Sequence, residues 1–268
     1  MPQRGSRRVG VVSTGCSHGG GVLTHSDYFG WWVAGGVIHI DNGLMNTFAL
    51  GRRHPRAAFR DHLDAGRQVA DLLSPDWKTG TVVFALVRGG VPVAAEVAHR
   101  FAAPLDVLVA RKVGVPGQPE LGMGDVAEGG VVIARAGTLQ RFGVDHRRFA
   151  AIARDRTAEV ERMVNLFRGE REMLPVGEVD VLLVDDGLAT GVTAEAAIES
   201  LRRRGARSVT LAVPVGAADT VEHLARLADD VRCVLVPQSL SSVGQWYERF
   251  DQVSDEQVIS ILETRRDL

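Results

Sequence analysis

Cysteine is scarce. Cys16 and Cys233 are the only two in 268 residues, so no disulfide framework and no cysteine-based metal-ligand spacing can be drawn. A reducing, cytoplasmic setting fits that scarcity. Long apolar runs are missing as well, and none approaches the ~18 residues of a membrane span. Charge of one sign is not in excess: the formal net charge is -2. With no basic stripe interleaved with aromatics, nucleic acid is not the expected partner. Several catalytic signatures are absent too. There is no G-x-x-x-x-G-K-[ST] loop and no G-x-S-x-G elbow, which removes a Walker-type nucleotidase and a serine hydrolase of that kind. Gly114, Gly117, Gly122 and Gly124 form no dinucleotide fingerprint, and the histidines, His62 included, show no ligand spacing.

What is present is an ordinary globular composition, 45% hydrophobic and 24% charged, long enough for one large core. Composition shifts near residue 50. Ten of the 30 glycines lie in the first 43 residues, and only five charged residues lie in the first 50. Residues 1–50 therefore read as a poorly ordered, glycine-rich extension, with Met45 as an alternative start, and residues 51–268 as the functional domain. Gly19–Gly21 lack the following helix that a phosphate cradle needs.

After residue 59, short apolar runs alternate with helical patterns. Val82–Val87, Leu105–Ala110, Asp180–Val184, Ser208–Val213 and Val231–Val236 read as strands, with Val131–Ala134 as a short further one. Helical stretches lie at Phe59–Leu73, Val91–Phe101, His146–Arg168, Thr193–Arg204 and Thr220–Ala228. Such alternation argues for an α/β fold: a parallel twisted sheet with helices on both faces, Rossmann-like. Ligands of such sheets bind beyond the carboxyl ends of the strands. Val113–Gly130 holds six glycines, Pro116 and Pro119, and few large apolar anchors, mainly Leu121 and Met123. It reads as a long mobile segment.

One stretch states a chemistry. In VLLVDDGLATGVT, residues 181–193, an apolar strand ends on Asp185 and Asp186, and a turn of small and hydroxylated residues leads into a helix. Gly187 and Gly191 let the backbone approach a ligand closely. Thr190 and Thr193 supply hydroxyls, and the helix start offers free N–H groups and a positive dipole end. That loop suits a phosphate monoester. The two carboxylates would repel the phosphate, but they suit hydroxyls beside it or the water shell of a metal ion. A phosphorylated sugar with a free vicinal diol offers both features.

These residues resemble the 5-phosphoribosyl-1-diphosphate (PRPP) motif of type I phosphoribosyltransferases: a hydrophobic strand, two acids, then a small-residue loop with Thr-Gly and a final Thr. FRDHLDAGRQVADLL, ALVRGGVPVAAEVA, LDVLVARKVGVPGQPELGMGDVAEGG and SVGQWYERFDQVSDEQVISIL extend the resemblance to a bacterial subgroup with no assigned base, over roughly residues 59–265. The resemblance implies the type I phosphoribosyltransferase fold over residues 51–268 with a small hood. It implies that Asp185 and Asp186 meet the ribose hydroxyls, directly or through Mg2+, in part by way of water. Gly187, Leu188, Ala189, Thr190, Gly191, Val192 and Thr193 would wrap the 5-phosphate. Arg88, Gly89 and Gly90 match a short pyrophosphate loop that often holds a cis peptide, with Arg111 and Lys112 adding charge on the leaving side. Arg88, Arg111 and Lys112 are the catalytic candidates, and residues 113–130 the hood over the reacting centre. Mg2+ is the implied cofactor, PRPP and a small-molecule acceptor the implied partners, and a homodimer the implied assembly. The other class that this fold supports is a PRPP- or nucleotide-sensing regulator that does not turn over.

Duller readings compete at each point. An acid pair after a strand also opens receiver domains, but there it lies near the domain start, and here the next strand ends in Pro214-Val215-Gly216. Glu120, Asp125 and Glu128 read as solvated loop carboxylates. Arg67 reads as a helix-surface or salt-bridge residue, and Arg202–Arg204 as a helix end. Trp246, Tyr247 and Phe250 read as packing, with stacking on a base as the alternative.

Overall fold

The structure is a computed structural model that describes the backbone of residues 36–40 and 45–49, and residues 57–264. Its centre is a five-stranded parallel sheet of β3 (Val82–Leu86), β4 (Leu105–Leu108), β8 (Asp180–Val184), β9 (Ser208–Val215) and β10 (Asp230–Leu235), in the order β10-β9-β8-β3-β4. The strands are predominantly apolar because both faces are covered, with Asp106 of β4 and Arg232 of β10 as buried exceptions held in ion pairs. Successive residues turn to opposite sides. Val83, Ala85, Val107, Leu182 and Val184 face α1 (His62–Leu73), α2 (Gly90–Arg100) and α7 (Asp255–Thr264). Phe84, Leu86, Leu108, Val181 and Leu183 face α5 (Val192–Arg203) and α6 (Ala218–Leu224).

At the β10 edge, β1 (Gly36–Ile40) and β2 (Met45–Ala49) add an antiparallel hairpin, with Ile38 opposite Cys233. Both strands fall within the stretch expected to be an extension. Its residues 1–35 lie outside the described residues.

Segment 113–130 differs from its expected form. The chain leaves the main sheet after β4 and builds a second, antiparallel sheet of β5 (Ala110–Val115), β6 (Gln118–Ala127) and β7 (Val131–Ala134), followed by a short helix, α3 (Ala136–Arg141). The segment is therefore not a long structureless loop. Met123, Val113 and Val126 are fully buried, so one of the two expected anchors, Met123, is part of the core, while the other, Leu121, stays exposed. Phe149 of α4 (His146–Arg168) occupies the space above Gly124, where a Cβ would lie 2.8 Å from its ring. Here glycine permits packing rather than motion. Only the tip, residues 116–121, is exposed throughout.

Two of the carboxylates expected to be solvated are buried as well. Glu128 is held by Arg168 at the end of α4, with Nη1 to Oε1 at 2.5 Å and Nη2 to Oε2 at 3.2 Å. The same guanidinium reaches Asp106 Oδ1 at 3.3 Å and the Val107 carbonyl at 2.7 Å. Asp125, on β6 opposite Lys112, is fully buried, and neither carboxylate oxygen has a hydrogen-bond partner. Burial, first, and the Glu195 charge push its carboxyl up to about 7, against the pull of Arg135 and Lys112.

Candidate functional site

The sheet order places the site. From β3 the chain winds outward to β4, and from β8 it winds the other way to β9 and β10. The crevice beyond the carboxyl ends of β3 and β8 is thus the topological switch point, where ligands of open α/β sheets bind. The two strands are in register, Ala85 opposite Val184. The turns that follow them, Arg88–Gly90 and Asp185–Thr193, therefore meet.

They meet closely. A Cβ on Gly90 would lie 2.7 Å from the Val184 carbonyl oxygen and 2.9 Å from the Asp185 Cα, and one on Gly89 would overlap the Asp186 carboxylate. Only glycine fits either place. The peptide bond between Val87 and Arg88 is cis, the feature implied for this loop.

Beyond β8, the Asp186 N–H donates to Asp185 Oδ1 at 2.9 Å. Burial and the neighbouring Asp186 charge hold the Asp185 carboxyl well above the usual carboxylate range, and that backbone N–H pulls the other way. The turn is pinned by buried Leu188, which exchanges hydrogen bonds with Val215 (2.8 Å) and Ala217 (2.9 Å). Thr220 Oγ1 donates to the Ala189 carbonyl at 2.9 Å. Gly191 caps α5 at φ +67, a left-handed conformation that glycine adopts without strain. Ala189 and Thr190 remain exposed, while Val192 turns inward.

Of the basic candidates, Arg88 and Arg111 line one cleft of about 480 Å3 with Gly89 and Asp186. Arg88 pairs with Asp255 of α7 at 3.4 Å. Arg111 pairs with Glu159 of α4 at 3.5 Å, and burial lowers its pKa against the Glu159 charge. Lys112 is not among the cleft-lining residues. Adjacent strand residues point to opposite faces, and its Nζ donates to the Glu120 carbonyl at 2.8 Å.

The cleft has residues that sequence reasoning passed over. His62, in the first turn of α1, has Nε2 3.8 Å from Asp186 Oδ2. The Tyr247 hydroxyl donates to the Asp186 carbonyl at 2.6 Å. Phe250 stacks on His62 at 5.0 Å and 24°. A parallel bridge explains the gathering: the Phe59 N–H donates to the Trp246 carbonyl at 3.0 Å, and the Glu248 N–H to the Phe59 carbonyl at 2.8 Å. This fastens residues 246–249 beside the start of α1. The only trace in the sequence is the aromatic set Trp246, Tyr247 and Phe250, which also fits packing.

A parallel α/β sheet with an acid pair, an anion-suited turn and a glycine loop at its switch point has the chemistry to receive a phosphorylated, hydroxylated ligand. The profile of the phosphoribosyl transferase domain family matches residues 61–253, and the chain belongs to that family. Two Mycobacterium tuberculosis proteins, from strains CDC 1551 and H37Rv, bear the name "Putative phosphoribosyl transferase". Each is 43% identical over 205 residues, covering 76% of this chain and 46% of the relative. The chain thus spans about half the length of these curated relatives. TT1426 of Thermus thermophilus, known from a crystal structure, is 40% identical with a TM-score of 0.66, over 76% of this chain and 97% of that one. A uracil phosphoribosyltransferase of Clostridioides difficile matches at 37% identity over 78 residues, 25% of this chain and 37% of that protein.

Proposed function

We propose that the protein transfers a 5-phosphoribosyl group from Mg-PRPP to a nitrogenous base or related nucleophile, releasing pyrophosphate. One observation carries this reading. The acid pair Asp185–Asp186 and the glycine loop Arg88–Gly90 lie against each other at the level ends of adjacent parallel strands. A donor with a diol, a monoester and a diphosphate needs those two environments side by side, and the turn from Gly187 to Thr193 beside them as the third.

In this reading the turn from Gly187 to Thr193 and the start of α5 receive the 5-phosphate. Asp185 and Asp186 accept from the ribose hydroxyls, which fixes the sugar while its C1 bond breaks. The enzyme supplies no nucleophile. It holds donor and acceptor in line and stabilises charge on the leaving group. The backbone at Gly89 and Gly90 and the guanidiniums of Arg88 and Arg111 take that charge. Lys112 joins them if the tip of the β5–β6 ribbon releases it from Glu120. Closure of that tip would exclude water from C1.

Among the described residues, no group of three or more metal-ligating side chains gathers. Two carboxylates alone do not enclose a divalent ion. They suit one that arrives on phosphate oxygens and keeps several waters. Mg2+ held there would act as a Lewis acid on the pyrophosphate oxygens.

The test is pyrophosphate release from Mg-PRPP with a panel of purine and pyrimidine bases, beside calorimetric PRPP binding. Base-dependent release supports transfer. Tight PRPP binding without release for any base would point instead to a sensor.

A further inference from the structure

The cleft is not closed on the side away from the acid pair. Its wall of His62, Asp251, Gln252 and Val253 is shared with a second cavity of about 730 Å3, larger than the cleft itself. Beyond that wall the second cavity runs between α1 and α7, past Leu63, Glu256 and Ser260. The second cavity therefore offers room beside the cleft for a part of a ligand that extends past this wall.

In the cleft, Arg88 and Arg111 pair with Asp255 and Glu159 at 3.4 and 3.5 Å. The second cavity has one guanidinium, Arg249, which Asp61 neutralises at 2.6 Å. Asp251 and Glu256 remain, and among the described residues neither has a cationic partner. A hydrogen bond from Ser254, first, and the backbone at Glu256 hold the Glu256 carboxyl below its ordinary range, so it stays ionised. The shared wall is polar at His62, Asp251 and Gln252, with Val253 as its one aliphatic member. Among the described residues, five large hydrophobic side chains are more than two-fifths exposed, and two of them lie on either side of this wall: Phe250 in the cleft and Leu63 in the second cavity. Exposed apolar groups set beside unpaired carboxylates suit an alkyl segment that ends in a cation.

We propose that the acceptor is a two-part molecule. A planar heterocycle lies in the cleft against the Phe250–His62 stack. An arm with a terminal amino group crosses the wall at Val253 and lies beside Asp251 and Glu256. This rests on the transferase reading of the cleft and adds the class of acceptor to it.

Compounds sharing one ring test the idea: adenine or cytosine unarmed, and with an aminopropyl, propyl or carboxyethyl arm on the exocyclic nitrogen. Binding is measured by calorimetry with Mg-pyrophosphate present, where transfer cannot occur. KM and kcat are measured separately with Mg-PRPP. For at least one ring, the aminopropyl compound binds about tenfold more tightly than the propyl one, the carboxyethyl compound binds more weakly than either, and KM follows the same order. Glu256→Gln reduces the amine preference to about threefold, and Glu256→Lys, whose new cation offsets Asp251, abolishes it, as removal and inversion of one of two exposed charges require. Neither variant changes kinetics with the unarmed base. Equal affinity for amine and propyl arms, a preference that survives Glu256→Lys, or no binding by any compound would overturn the inference. The two readings fail differently. An amine preference in binding without pyrophosphate release keeps the two-part site and sinks transfer. Release with unarmed bases and no gain from any arm keeps transfer and sinks the second chamber.

Discussion

Asp125 offers a quantitative test of how the hood sheet is built. It is fully buried on β6 with both oxygens unpartnered, and its carboxyl is raised from 3.8 to about 7. The sign follows from linkage. A carboxyl with a folded pKa above its unfolded value favours the fold while protonated. That contribution is complete below the unfolded value and is lost as the pH rises through the folded one. A rise of about three units corresponds to about 4 kcal/mol in full, at 1.36 kcal/mol per unit. By about pH 5 roughly a third has already gone, so about 3 kcal/mol remains to be lost between about pH 5 and pH 8.5. Asp125→Asn keeps the shape and removes the charge. Its buried amide has its own cost of about 1–3 kcal/mol, which does not depend on pH. The informative quantity is therefore the change in the variant-minus-wild-type difference between the two pH values. Urea unfolding followed by circular dichroism measures it, with m-values checked for constancy. The variant should gain about 3 kcal/mol on the wild type from the acid to the alkaline condition. An equal difference at both pH values would mean that the carboxylate is hydrated or paired in solution, and the argument from burial would fail.

The remaining expectations concern the acid pair, the buried guanidinium and the hood. Asp185→Asn combined with Asp186→Asn removes two like charges that serve a ligand, so calorimetric affinity for Mg-PRPP should fall by at least about tenfold while the melting temperature holds or rises. A drop in melting temperature with unchanged affinity would mark the pair as structural. Arg168→Met strands Glu128 and Asp106, both of which it contacts in the interior. The expected loss is about 3–5 kcal/mol in urea unfolding, and a loss below about 1 kcal/mol would show that water reaches the cluster. Amide exchange should divide segment 113–130: slow at Val113 and Met123–Ala127 in the free protein, fast at residues 116–121, and slowed at the tip alone by Mg-PRPP. Uniformly fast exchange would restore the mobile loop that the glycine content suggests.

The strands and the acid pair were legible because their physics is local. A strand covered on both faces is predominantly apolar, and Asp180–Val184 and His146–Arg168 have in the structure the bounds that their sequence pattern assigns. The turn after β8 was legible for the same reason. Small residues, hydroxyls and a helix start describe an anion site within a dozen positions. The hood was not legible, because composition cannot separate a glycine that bends from a glycine that makes room. Gly124 makes room for Phe149, and Phe149 is 25 positions away in the chain. Asp125 and Glu128 were misread by the same route: a carboxylate in a glycine-rich segment looks solvated until the segment proves to be a sheet under two helices.

The far side of the cleft was hidden for a different reason, and that reason bears on where specificity resides. The acid pair and the glycine loop, which suit PRPP, come from turns that follow β3 and β8, and register brings them together; Arg111 is added from β5. Everything that faces away from PRPP comes from the two ends of the domain, His62 near its start and residues 247–253 near its close, joined by the bridge of Phe59 with Tyr247. Substitutions at Asp251, Gln252 or Glu256 alter exposed side chains outside the sheet. They leave the acid pair and the glycine loop in place. On the proposed reading, the fold therefore separates the half of the site that would fix the donor from the half that would select the acceptor. Tyr247 is where the halves touch, since its hydroxyl holds the Asp186 carbonyl at 2.6 Å while its ring packs on His62 and Phe250. On the proposed reading, a change of acceptor would proceed by editing Asp251, Gln252 or Glu256, with Asp255 kept as the partner of Arg88 and the Tyr247 hydrogen bond keeping the donor side aligned.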